Sequence, residues 1–116
     1  MLVGLGGLVG SVVRYGVHVL LQRWPTPFPW ATFTVNVLGC FLIGILAGWT
    51  LKGQLDESLR LLLIIGFCGG FTTFSTFSMD SLNLLQSGAY AQFFGYTAAS
   101  VLLGLLATLG GLLLVR

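Results

Sequence analysis

Apolar residues run almost without interruption along this chain, and short polar clusters cut them into four stretches, at roughly 2–22, 29–51, 59–88 and 90–115. Each reaches the ~20 residues that an α-helix needs to cross the hydrocarbon of a bilayer. The pattern predicts an all-α membrane protein of four transmembrane helices in a single domain, residues 1–116, with little chain left for loops. Between the first two runs, Trp24-Pro25-Thr26-Pro27-Phe28-Pro29-Trp30 reads as a turn. Its three prolines forbid continuous helix, its tryptophans suit the headgroup level, and Pro29 can start the next helix. Leu51 to Ser58, with Lys52, Asp56 and Glu57, reads as a solvated loop without chemistry. The first run lacks a basic leader and exceeds a signal's apolar segment, so it is expected to stay in the mature protein.

The third run is too long for one simple span, and its middle is unusual. Gly66 to Ser78 carries three glycines, five hydroxyl side chains and four phenylalanines. Backbone that leaves a helix at membrane depth is tolerated only where it is buried in protein or lines a cavity. An interruption is therefore expected near 69–73, at Gly69-Gly70, with a first half ending near Phe67 and a second restarting near Phe74. Such an interruption frees carbonyls, which attract a hard cation, and amides, which attract an anion.

The other spans carry polar residues on single faces. Gly6, Gly10, Arg14 and His18 recur every four residues and share one side of the first helix. Arg14 either snorkels to the interface or marks a functional site, and His18 is expected at the interface. Gly4 to Gly10 is not a dinucleotide loop, since its third glycine is misplaced and no strand precedes it. In the second span Thr32 and Asn36 lie one turn apart; a buried carboxamide must be bonded, so Asn36 serves either as glue between helices or as the lining of a polar path. In the fourth, Tyr96 and Ser100 continue into Gly104, Ala107 and Gly111 on about the same face.

Composition agrees with the pattern. With 56% hydrophobic and 7% charged residues and a mean hydropathy of +0.99, the chain is neither a soluble nor a disordered domain. Cys40 and Cys68 have no His or Cys at ligand spacing, and packing suffices to explain them. Lys52, Arg60 and Arg116 fall on the side of the N-terminus against Arg23 on the other. This weak bias permits insertion in either orientation, although it also suits one topology with the N-terminus inside.

Three motifs, Gly7 to Tyr15 (Gly-x-x-Gly-Ser-x-x-Arg-Tyr), Thr34-Val35-Asn36-x-x-Gly and Gly66-x-x-Gly-Gly-Phe-Thr-Thr-Phe-Ser-Thr-Phe, occur in this order. Together they resemble the CrcB/Fluc family of fluoride channels over essentially the whole chain. The resemblance implies an antiparallel dual-topology homodimer in a bacterial plasma (inner) membrane, with two fluoride pores and a structural sodium ion (Na+) on the two-fold axis. By motif position, backbone carbonyls of Gly69 and Thr72 would hold sodium. Phe74 and Phe77 would line the pores beside Asn36; Ser75, Thr76, Tyr96 and Ser100 would form a polar track, and Arg14 would stand in the vestibule. Gly104 departs from this pattern, since some relatives would carry a serine there. The partners implied are fluoride, lipid and a second copy of the chain, with no nucleic acid and no enzymatic activity.

The residue types suit that chemistry. Fluoride holds its water tightly, so a selective pore must replace the shell with closely spaced donors. Asn, Ser, Thr and Tyr are neutral donors, and a phenylalanine edge offers the positive part of the ring quadrupole without trapping an anion. A small multidrug/proton antiporter would need an intramembrane carboxylate, whereas Asp56, Glu57 and Asp80 lie in the loop or late in the third run and the first span has none. A non-conducting assembly subunit would explain the aromatic spacing but not Asn36 beside a hydroxyl-rich interruption.

Overall fold

The computed structural model describes residues 1–23 and 28–115. Over these residues it is helical, with four segments long and apolar enough to cross a membrane: Leu2–Leu21, Trp30–Leu51, Glu57–Gln86 and Tyr90–Val115. The protein is thus a multi-pass membrane protein. Helix α1 spans Leu2–Leu21 and α2 spans Trp30–Leu51. The expected turn residues Trp24 to Pro27, and Arg116, lie outside the described residues.

The third segment begins earlier than its hydropathy suggests. Asp56 accepts from the Leu59 amide at 2.8 Å and so caps the helix, while Glu57 pairs with Arg60 at 2.9 Å in the first turn. Only the residues around Gly53, whose φ of 72° suits glycine, remain as loop. Helix α3 then runs through residues 57–71, α-helical over Glu57–Arg60, π-helical over Leu61–Cys68 and α-helical again over Gly69–Phe71. Helix α4 is Phe74–Gln86 and α5 is Tyr90–Val115, joined by a turn at Gly88 with φ 80°.

Gly69 and Gly70 do not interrupt the helix: both are helical, and α3 continues past Phe67 to Phe71. The residues that leave helical geometry are Thr72 (φ −89°, ψ 157°) and Thr73 (φ −153°, ψ 127°). β-Branched residues accept these extended dihedrals readily. Gly70 instead serves close packing, because a Cβ there would lie 2.6 Å from the Gly7 carbonyl oxygen on α1.

The same device builds both halves of the molecule. Helix α1 lies against α3 with Gly6 on the Leu62 carbonyl and Gly10 on the Phe67 carbonyl; α2 lies against α5 with Gly44 on the Thr108 carbonyl and Gly111 on that of Phe41. Apolar burial gives little drive between helices in lipid, so backbone approach through small residues has to supply contact. The core is correspondingly small, made of Val35, Leu46, Cys68, Phe71, Leu84 and Tyr96. Leucines and valines such as Leu8, Val12, Leu105 and Leu114 point outward, as they do toward lipid. The longest dimension, 48 Å, matches a bilayer with its headgroups, ~40–45 Å.

Candidate functional site

The extended pair Thr72–Thr73 is held by a side chain from another helix. Asn36 of α2 accepts from the Thr73 amide at 2.9 Å and donates to the Thr73 carbonyl at 3.1 Å, so its carboxamide pairs with the backbone as a neighbouring strand would. Thr73 in turn starts α4: its hydroxyl oxygen accepts from the Thr76 amide at 3.3 Å and lies 3.2 Å from the Ser75 hydroxyl. Ser75 and Thr76 therefore cluster around the cap. Arg14 reaches across from α1, and its Nε donates to the Gly70 carbonyl at 3.0 Å. It neutralises one carbonyl at the end of α3, where the helix dipole is negative.

These bonds also determine what happens to the carbonyls of Gly69 and Thr72. In a continuous α-helix the Gly69 oxygen would take the Thr73 amide and the Thr72 oxygen would take the Thr76 amide. Asn36 takes the first amide and the Thr73 hydroxyl takes the second. Gly69 is exposed on the chain's surface, and Thr72 is half-buried.

Beside the link lies a groove of about 290 Å³, lined by Asn36, Gly39, Cys40, Thr73, Phe74, Phe77 and Ser100 among others. Among the described residues no charged side chain lines it. The Ser100 hydroxyl is buried without a hydrogen-bond partner among the described residues, and so has a donor to offer. Phe74 stands at the outer lip, 77% exposed. From it a row of rings runs inward: Phe74 to Phe77 at 5.7 Å between centroids, Phe77 to Tyr96 at 5.1 Å, and Tyr96 to Phe28 at 5.4 Å, nearly edge-on at 85°. Tyr96 is wholly buried, and its hydroxyl donates to Asp80 Oδ2 at 3.4 Å.

The row ends at a second cavity of about 270 Å³, lined in part by His18, Gln22, Phe28, Trp30, Thr32 and Asp80. The anticipated residues thus separate into three places. Asn36, Phe74, Phe77 and Ser100 share the groove, with Tyr96 against Phe77; Ser75 and Thr76 belong to the cap; Arg14 is tied to the carbonyl end of α3.

Sequence reasoning passed over the cluster at the second cavity. His18, expected at the interface, sits near the end of α1 with its ring turned inward: Nδ1 lies 3.1 Å from the Arg14 carbonyl and Nε2 lies 3.3 Å from the Thr32 hydroxyl. Thr32 is 1% exposed. Asp80 is the single acid within the four apolar runs, and an ionisable residue inside a membrane segment is a functional candidate by default.

Known proteins share this sequence along its length. The profile of the family described as CrcB-like protein, Camphor Resistance (CrcB), matches residues 1–112. A Phocaeicola vulgatus protein named fluoride-specific ion channel FluC is 50% identical over 113 residues, covering 97% of this chain and 93% of its own. Proteins of the same name from Azobacteroides pseudotrichonymphae, 47% identical, and Caulobacter vibrioides, 50% identical, cover 99% and 100% of this chain and 94% of theirs. The names are those of ion channels and not of enzymes. Matched over residues 1–112 by that profile and over 97% or more of its length by these relatives, the chain belongs to the CrcB family.

Proposed function

We propose that this protein is a fluoride-selective channel of the bacterial plasma (inner) membrane. It works as an antiparallel, dual-topology homodimer with two pores, the third span broken within the bilayer at Thr72–Thr73, and one structural sodium ion. The observation that carries this reading is the groove in which, among the described residues, Asn36, Phe74, Phe77 and the unpartnered Ser100 hydroxyl meet without a charged side chain. Neutral donors and ring edges can replace the water of a small anion in weak, repeated steps, so that the ion enters without being trapped. The start of α4 adds the positive end of a helix dipole beside Phe74. The fluoride channel named in each relative adds support.

The groove that one chain leaves uncovered supports the dimer. Phe74 is 77% exposed at the lip of the groove. The Asn36 carboxamide and the Ser100 hydroxyl line a mostly apolar groove on that surface, and a second copy would screen these polar groups from lipid. The donor set at the link fits sodium: the Gly69 and Thr72 carbonyls have lost their helical amides to Asn36 and Thr73, and hard cations take oxygen ligands. Bound there, sodium would supply positive charge against the carbonyl dipoles of two copies. Export needs no pump, since an inside-negative potential drives an anion outward by about 2.3 kcal/mol per 100 mV.

The test is ion efflux from liposomes reconstituted with this chain alone. Fluoride should leave far faster than chloride. Equal permeation of both, or none of either, would refute the reading.

A further inference from the structure

Helices α2 and α5 meet in a fixed register. Tyr96 meets Thr32, Ser100 shares the groove with Asn36, and a Cβ on Gly104 would lie 3.5 Å from Cys40 Sγ. Residues four apart on α2 thus face residues four apart on α5, and successive levels are separated by about 6 Å. The first two levels carry a polar side chain from each helix. At the third, α5 offers only a glycine, and the Cys40 thiol stands alone. The groove reaches this level and passes it: Asn36, Gly39, Cys40 and Ile43 all line it, at the spacing of one helix face.

The donors turned to the groove can be counted from the bonds already made. Asn36 gives one amide hydrogen to the Thr73 carbonyl and its oxygen to the Thr73 amide, which leaves one N–H. The Ser100 hydroxyl is buried without a partner among the described residues. A buried donor left in that state calls for an acceptor, and so marks the groove as a place that takes a ligand. Cys40, a free cysteine and half-buried, adds an S–H one turn further along α2.

We propose that Cys40 lines the anion path, its S–H being the donor that follows Asn36 and Ser100, and that its thiol is the point at which a small thiol-directed reagent closes the path. This rests on the channel reading. An anion that leaves the Asn36–Ser100 level meets no hydroxyl from α5 at the next turn, because position 104 is glycine. The thiol supplies the donor there. A weak donor suits that place, since a site that holds a small anion lightly also lets it leave. The second cysteine gives the contrast: Cys68 of α3 is 1% exposed and stands outside the groove lining.

The test uses the full chain in liposomes and methyl methanethiosulfonate, a small neutral reagent. The Cys40 thiolate attacks the reagent's divalent sulfur: an S–S bond forms, the bond to the sulfonyl sulfur breaks, methanesulfinate leaves with the electron pair, and the thiol proton goes to water. Mass spectrometry should find the added methylthio group on Cys40 and not on Cys68 in the folded protein, and fluoride efflux should fall at least about tenfold. Cys40→Ser keeps a donor of similar size and should conduct while resisting the reagent. Cys40→Ala lacks the donor and should conduct about three- to tenfold less than C40S at equal thermal stability. Unchanged efflux after Cys40 is modified, a Cys40 that reacts only in denatured protein, or equal flux in C40A and C40S would each overturn the proposal. Were no fluoride to pass through the parent protein, the channel reading would fall. Labelling of Cys40 would still decide the path, being slower in fluoride than in gluconate if anions meet the thiol and equal in both if they do not.

Discussion

Removing the Asn36 carboxamide should loosen the Thr72–Thr73 link in particular and not the helices around it. The side chain makes two bonds to one residue, to the Thr73 amide and the Thr73 carbonyl. Hydrogen bonds between helices in a membrane contribute about 0.6 kcal/mol on average and up to about 1.7 each. Two bonds to one backbone unit thus place the loss at about 1–3 kcal/mol. That corresponds to a rise of about 5- to 150-fold in hydrogen exchange at the Thr73 amide. Asn36→Leu keeps roughly the volume and removes both bonds, so packing and hydrogen bonding are separated. Asn36→Asp keeps an acceptor for the amide but sets a carboxylate against the Thr73 carbonyl, and should loosen the link as well. The assay is residue-resolved hydrogen exchange in detergent or nanodiscs, with the Leu46 amide in α2 as an internal reference. Equal protection of Thr73 in N36L and the parent protein would refute the reasoning.

Other perturbations separate the remaining contributions. Gly44→Leu drives a side chain into the Thr108 carbonyl and should prevent folding or cost more than about 3 kcal/mol, read as thermal unfolding in detergent, whereas Gly95→Ala meets open space and should stay within about 0.5 kcal/mol. Phe74→Ile and Phe77→Ile should both lower fluoride efflux, but only the second should measurably lower thermal stability, because Phe77 packs on Tyr96 while Phe74 is 77% exposed; unchanged flux in both variants would remove the rings from the path. Exchanging sodium for a large organic cation should lower both flux and unfolding temperature if Gly69 and Thr72 hold the ion, and identical behaviour in both salts would remove the axial site.

What could be read from the residues, and what could not, divides along the range of the forces involved. Spans appear in the sequence because crossing a bilayer demands about 20 apolar residues in a row, a local requirement. Asn36 stood out for a similar reason, since a carboxamide in an apolar run must find a partner. Which partner it finds is a long-range matter, separated by 37 residues. The glycine pair at 69–70 misled for the same reason. Gly70 looks like a helix interruption locally, yet its small size is used by Gly7 of α1, and the chain turns out of the helix only at Thr72.

The sequence by itself determined the membrane class, four helical segments, the hydroxyl and aromatic content of the third span, and membership of the CrcB family. Tertiary structure alone decided which polar groups meet: Asn36 with Thr73, Arg14 with the Gly70 carbonyl, and His18 with Thr32 at the head of the Tyr96–Asp80 pair. Helical periodicity assigns a residue to a face, but the neighbour of that face is chosen by how closely two backbones can approach. In lipid that approach is governed by small residues and satisfied hydrogen bonds, not by apolar burial.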